Sequence, residues 1–71
     1  MLQEFKNVTI DCTNTNSGAL VSSYTYHDIS KELAKIFAEM QLMEDAEKKG
    51  IPVAEQVNLV YKHTFTAIAM K

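Results

Sequence analysis

The 71-residue sequence has no arginine and no tryptophan, one cysteine, one proline and two glycines. Each shortage removes something. A protein that grips a phosphate backbone needs a basic face, usually with arginine for paired contacts. Here seven lysines stand against nine acids, for a net charge of −2. Lys31, Lys35, Lys48 and Lys49 are interleaved with Asp28, Glu32, Glu39, Glu44, Asp45 and Glu47, which reads as a solvated face. Nucleic acid is therefore not an expected partner. With Cys12 alone, no intrachain disulfide can form. One cysteine and two histidines, His27 and His63, in no paired spacing, do not write a zinc site. No apolar run is long enough to cross a bilayer. The N-terminal residues show no basic region followed by an apolar one, and the expected compartment is the cytoplasm. Asn7-Val8-Thr9 fits a glycosylation acceptor, but without secretion it reads as ordinary strand.

What is present is a globular composition, 46% apolar. The expected organisation is a single domain over residues 1–71. A core in so short a chain supplies roughly 3–5 kcal/mol net, and such domains lean on disulfides, metals or association. The first two are missing, so a homodimer or higher oligomer is expected.

Three segments separate. Residues 5–26 read as a β-hairpin. Val8, Ile10 and Cys12 alternate with Thr9 and Asp11, and Leu20, Ser22, Tyr24 and Tyr26 alternate with Val21, Ser23 and Thr25. The polar cluster Thr13-Asn14-Thr15-Asn16-Ser17-Gly18 is the loop between them. Residues 28–49 read as a first helix, with Asp28 or Ser30 as its cap. Ile29, Leu33, Ile36, Met40 and Met43 make one stripe, flanked by Phe37. Glu44/Lys48 and Asp45/Lys49 are i,i+4 pairs, and Gly50 ends the helix. Residues 52–70 read as a second helix, with Pro52 at its first position and a stripe of Val53, Val57, Val60, Thr64 and Ala67. Tyr61 and Ile68 lie beside that stripe, and Lys71 complements the helix dipole. The β-branched content keeps a strand open as the alternative for 57–61. The short link predicts an antiparallel helix pair. The expected fold is thus α+β, an N-terminal β-hairpin followed by a two-helix hairpin, in the order ββαα.

The two stripes leave apolar residues over. Leu59, Phe65 and Met70 fall well off the second seam, and Ala34, Ala38 and Leu42 fall off the first. Either the β-hairpin covers them or a second chain does, in a four-helix arrangement.

Catalytic constellations are missing. Cys12 shares the apolar side of its strand with Val8 and Ile10 and reads as a structural thiol. His27 and Asp28 are adjacent, which on a helix points them apart. His63, between Tyr61 and Phe65, reads as a boundary histidine. No phosphate loop, dinucleotide fingerprint or metalloprotease signature is present. The expectation is a protein that is not an enzyme and uses neither cofactor nor metal. Its expected function is stoichiometric: it binds another protein and occludes it, a format shared by small inhibitors, antitoxins and phage-type regulators. The expected partner-binding residues are Tyr24, Tyr26, His27, Leu59 and Phe65, since tyrosines and large apolar groups anchor interfaces. An alternative is an oligomer that sequesters a small, nucleotide-like ligand, with the loop Thr13, Asn14, Thr15, Asn16, Ser17 and Gly18 folding over it. The order strand–helix–helix is similar in topology to ribbon-helix-helix repressors, which implies a third reading, a small DNA-associated regulator. Here the expected strands number two, the first helix is much longer, no basic strand is available to enter a groove, and the charge disfavours it.

Overall fold

The computed structural model describes residues 3–70. Lys71 lies outside them. The element order is β1 (Glu4–Asn14), β2 (Leu20–Ser30), α1 (Lys31–Lys48), α2 (Val53–Tyr61) and β3 (His63–Met70). The three strands form one antiparallel sheet in the order β2-β1-β3. The fold is α+β, but the order is ββααβ rather than ββαα.

The hairpin turn explains itself locally. The Asn14 side-chain oxygen accepts the N–H groups of Asn16 and Ser17, at 2.9 and 3.0 Å. Gly18 takes a φ of 72°, open to glycine because it has no Cβ, and its N–H donates to the Asn14 carbonyl. Along the strands, Val8, Ile10 and Cys12 on β1 are fully buried. Tyr24 and Tyr26 on β2, with Phe65, Ala67 and Ala69 on β3, pack beside them on the same face. Near the end of the hairpin Lys6 and Asp28 drop out of the pairing, and Asp28 takes a left-handed φ of 53°. Beyond that break in the pairing, across which the register is kept, the inward parity changes, and Phe5 and Ile29 join the core.

Asp28 is therefore strand, and Ser30 is the cap. Its hydroxyl oxygen accepts the Leu33 N–H at 3.2 Å. Gly50, with a φ of 81°, closes α1 by donating to Glu47, while the Ile51 N–H donates to Ala46. Pro52 precedes α2 as its N-cap, its carbonyl accepting from Glu55 and Gln56.

Two expectations are overturned. The second helix does not run to residue 70. It ends at Tyr61, and 63–70 turn back as β3 against the free side of β1. The strand alternative for 57–61 also falls, since those residues are helical and the strand begins later. In β3, His63, Phe65, Ala67 and Ala69 face inward and Thr64, Thr66, Ile68 and Met70 outward, a strict period of two. Secondly, the stripe that α1 turns to the sheet is Ala34, Ala38, Leu42 and Ala46, not the Leu33–Met43 seam. The alanines let the helix axis approach the sheet closely, and Ala34 and Ala38 reach full burial against Val8, Ile10 and Ile29. α2 packs on the C-terminal half of α1, where Gln56 is buried and its amide donates to the Ile51 carbonyl at 2.7 Å.

Candidate functional site

The inverted α1 leaves its large residues outside. Ile36 is 50% exposed and Met40 60%, with Leu33 and Phe37 exposed beside them. On α2, Val53 and Val57 are exposed, and Tyr61 keeps 80% of its surface in solvent. Between α1, α2 and the start of β3 runs a groove of about 470 Å³. Ile36, Met40 and Met43 form one wall, Val57, Val60 and Tyr61 the other, and His63 and Phe65 the floor. Glu39 is its one carboxylate among the described residues. His63 Nδ1 bonds the Leu59 carbonyl, which fixes the ring across the junction of α2 and β3. A surface so apolar binds by desolvation. Each large side chain fully covered is worth roughly 1.5–3 kcal/mol.

The residues expected to bind a partner do not form one surface. Tyr24 and Tyr26 lie half-buried on the helix-covered face of the sheet. The Tyr24 hydroxyl donates to Asp45 on α1 at 3.1 Å, and Gln41 donates to the same carboxylate. The Tyr26 ring tilts against Phe37 at 5.9 Å between centroids. His27 points to the opposite face and bonds Asn7. Leu59 lines a smaller cavity with Tyr24, Leu42 and Asp45, and Phe65 sits beside Cys12 and lines the groove. The structure thus brings Phe65 to the groove and Tyr26 to its neighbour Phe37. His27 lies away from both.

The hairpin loop is closed on itself. The N–H groups of Thr15, Asn16, Ser17, Gly18 and Ala19 donate to Lys62, Asn14 and Ser17 oxygens within the chain. Thr13 and Asn14 belong to β1. An anionic ligand at this loop would have to displace those bonds.

Burial alone pushes the Cys12 thiol up from its ordinary value. Burial also pushes up the phenols of Tyr24 and Tyr26, with the Asp45 carboxylate adding to both, while the Ser22 hydrogen bond to Tyr24 acts the other way. These groups stay protonated at neutral pH, so none is an activated nucleophile or base. Among the described residues no three His, Cys, Asp or Glu side chains gather as a metal site requires. Among the described residues no helix is long and apolar enough to cross a membrane.

Sequence reasoning missed Ile36, Met40 and Tyr61 as surface residues because it placed the larger stripe inside. The available signal was the row Ala34, Ala38, Leu42, Ala46 at intervals of four. Compared with known families, curated proteins and solved structures, the chain matches none.

Proposed function

We propose that this chain is a non-enzymatic interaction protein that works by covering a partner's surface, one copy to one site. The working surface is the outer side of α1 with the adjoining groove. The observation that carries this reading is the inversion of α1. Alanines fill the interior while Leu33, Ile36, Phe37 and Met40 stand in solvent. Packing on the sheet accounts for the alanines inside but not for large residues outside, and contiguous exposed apolar surface marks interaction sites. Phe37 and Leu33 replace the tyrosines as anchors, because Tyr24 and Tyr26 already serve the interior.

A photoactivatable cross-linking residue at Phe37, in cells, tests the reading. The expected product is one discrete adduct to a different protein, formed from position 37 and not from Thr25 on the open sheet face. No heterologous adduct from position 37 would remove the occlusion reading.

The groove supports a second reading, a small-ligand site. Its volume falls in the range of ligand pockets, and Tyr61, His63 and Glu39 supply polar groups among apolar walls. Calorimetry against a panel of nucleotides is expected to give heat that Tyr61→Ala abolishes if this reading holds. Silence across the panel counts against it.

A further inference from the structure

We propose that the free edge of β3 pairs antiparallel with β3 of a second copy, joining two sheets into one of six strands. The inference rests on the reading of the α1 flank as an interaction face, and it names the occupant of the half beside β3.

The two outer strands differ. β2 loses its pairing at Asp28, which takes a left-handed φ, and its register with β1 shifts between Ser22 and Leu20, opposite Cys12 and Thr13. Both blunt an edge against pairing. β3 has none of these protections. Its eight residues include no lysine, aspartate, glutamate or proline, and its register with β1 runs unbroken from Asn14↔His63 to Asn7↔Met70. Among the described residues, nothing hydrogen-bonds along its other side.

β3 is also self-complementary. Residues directly opposite in an antiparallel pair share a face, so the two-fold axis must pass through a residue position. Centred on Thr66, the pairing sets Phe65 opposite the partner's Ala67. Centred on Ala67, it sets Phe65 opposite the partner's Ala69. In both registers a large side chain meets a small one, and the outer face pairs threonines with each other or with Ile68 and Met70.

The area is sufficient. Ile36, Met40, Val57 and Tyr61 border the groove beside β3, and Ile68 and Met70 project from β3 itself. At on the order of 150–250 Å² for a large side chain, their exposed fractions come to roughly 500–850 Å² a chain. A standard interface takes about 800 Å² from each partner, and the β3 backbone supplies the rest. A two-fold dimer of this kind closes, so it leaves no exposed β3 edge to propagate a fibre.

Sedimentation of the full chain is expected to give twice the 8.0 kDa mass of one copy. Ile68→Lys should halve that mass, because Ile68 points away from the core, so the change spares the fold, while a lysine on an edge strand opposes edge-to-edge pairing. Thr25→Lys, on β2, should leave it doubled. Circular dichroism should be unchanged in both. Should Ile68→Lys unfold, a nitroxide on Thr66→Cys reads the contact in otherwise unaltered chain, since Cys12 is buried and escapes labelling. Strands about 4.8 Å apart bring the two labels close enough for strong dipolar broadening. A single 8.0 kDa species at high concentration overturns the inference, as does a dimer indifferent to Ile68→Lys with no broadening at position 66. In either case a heterologous adduct from position 37 would leave the interaction-face reading standing.

Discussion

The two sides of α1 are built on opposite rules. The inward side carries Ala34, Ala38, Leu42 and Ala46, and every one of them is buried. The outward side carries Leu33, Ile36, Phe37 and Met40, and every one of them is exposed. Hydrophobicity alone would place the larger set inside. Close packing decides otherwise. The sheet already fills its covered face with Val8, Ile10, Tyr24, Tyr26 and Phe65, and the helix fits above them only with short side chains. Burial in this protein is set by the space the sheet leaves, and the large residues of the helix remain for something else to cover.

The sharpest way to break this contrast is to exchange size across it. Ala38→Leu forces a larger side chain between α1 and the strands, where Ala38 has no exposed surface. Overpacking of that kind costs about 1–3 kcal/mol. Ile36→Ala changes the side chain by as many carbons yet should cost under about 1 kcal/mol at concentrations where the chain is monomeric, because half of Ile36 already sits in water. Urea midpoints at equal m-value measure both. If Ile36→Ala proves the costlier of the two in a monomer, the assignment of inside and outside is reversed.

The hairpin and the body of α1 were legible because each rests on a local code. The alternation of Val8, Ile10 and Cys12, the left-handed glycines at 18 and 50, and the helix stop before Pro52 all act within a few residues. β3 was not legible, for a definite reason. Val53, Val57 and Val60 on α2 run in helical phase with Thr64 and Ala67, so the helical period does not break where the helix does. No glycine or proline marks Lys62, and the chain turns there because the free side of β1 offers a ladder of hydrogen bonds. The alternation Thr64-Phe65-Thr66-Ala67-Ile68-Ala69 was the strand signal, and it overlapped the helical one. The site was missed on α1 for a related reason. Periodicity shows that a helix has two stripes but not which one the sheet has room for. The stripes left apolar residues over, but those set aside on α1, Ala34, Ala38 and Leu42, are buried, and the exposed excess lies on the stripe expected inside.

Tyr26 sits at the seam between the two sides, packed on the core below and against Phe37 above. It therefore offers a finer probe of the contrast than any change of size. Burial raises the phenols of Tyr26 and Tyr24 above 10.0 and the thiol of Cys12 above 9.0 in the folded chain, with Asp45 reinforcing both phenols. An acid whose folded value is raised holds its proton more tightly folded than unfolded. Its contribution to stability is fully present below the unfolded value and is lost as pH climbs through the folded one. Stability should thus show no loss from these groups at neutral pH and decline from them once pH passes 9.0 and then 10.0. The decline should be modest beside that of Ala38→Leu, because both rings keep partial contact with water. Tyr26→Phe removes one ionising group and keeps the ring against Phe37, so its alkaline limb should be shallower than that of the unaltered chain. Chemical denaturation across alkaline pH, with phenolate absorbance followed in parallel, measures the difference. Equal limbs would mean that Tyr26 ionises as freely in the folded chain as in the unfolded one, and that α1 does not seal the sheet beneath it.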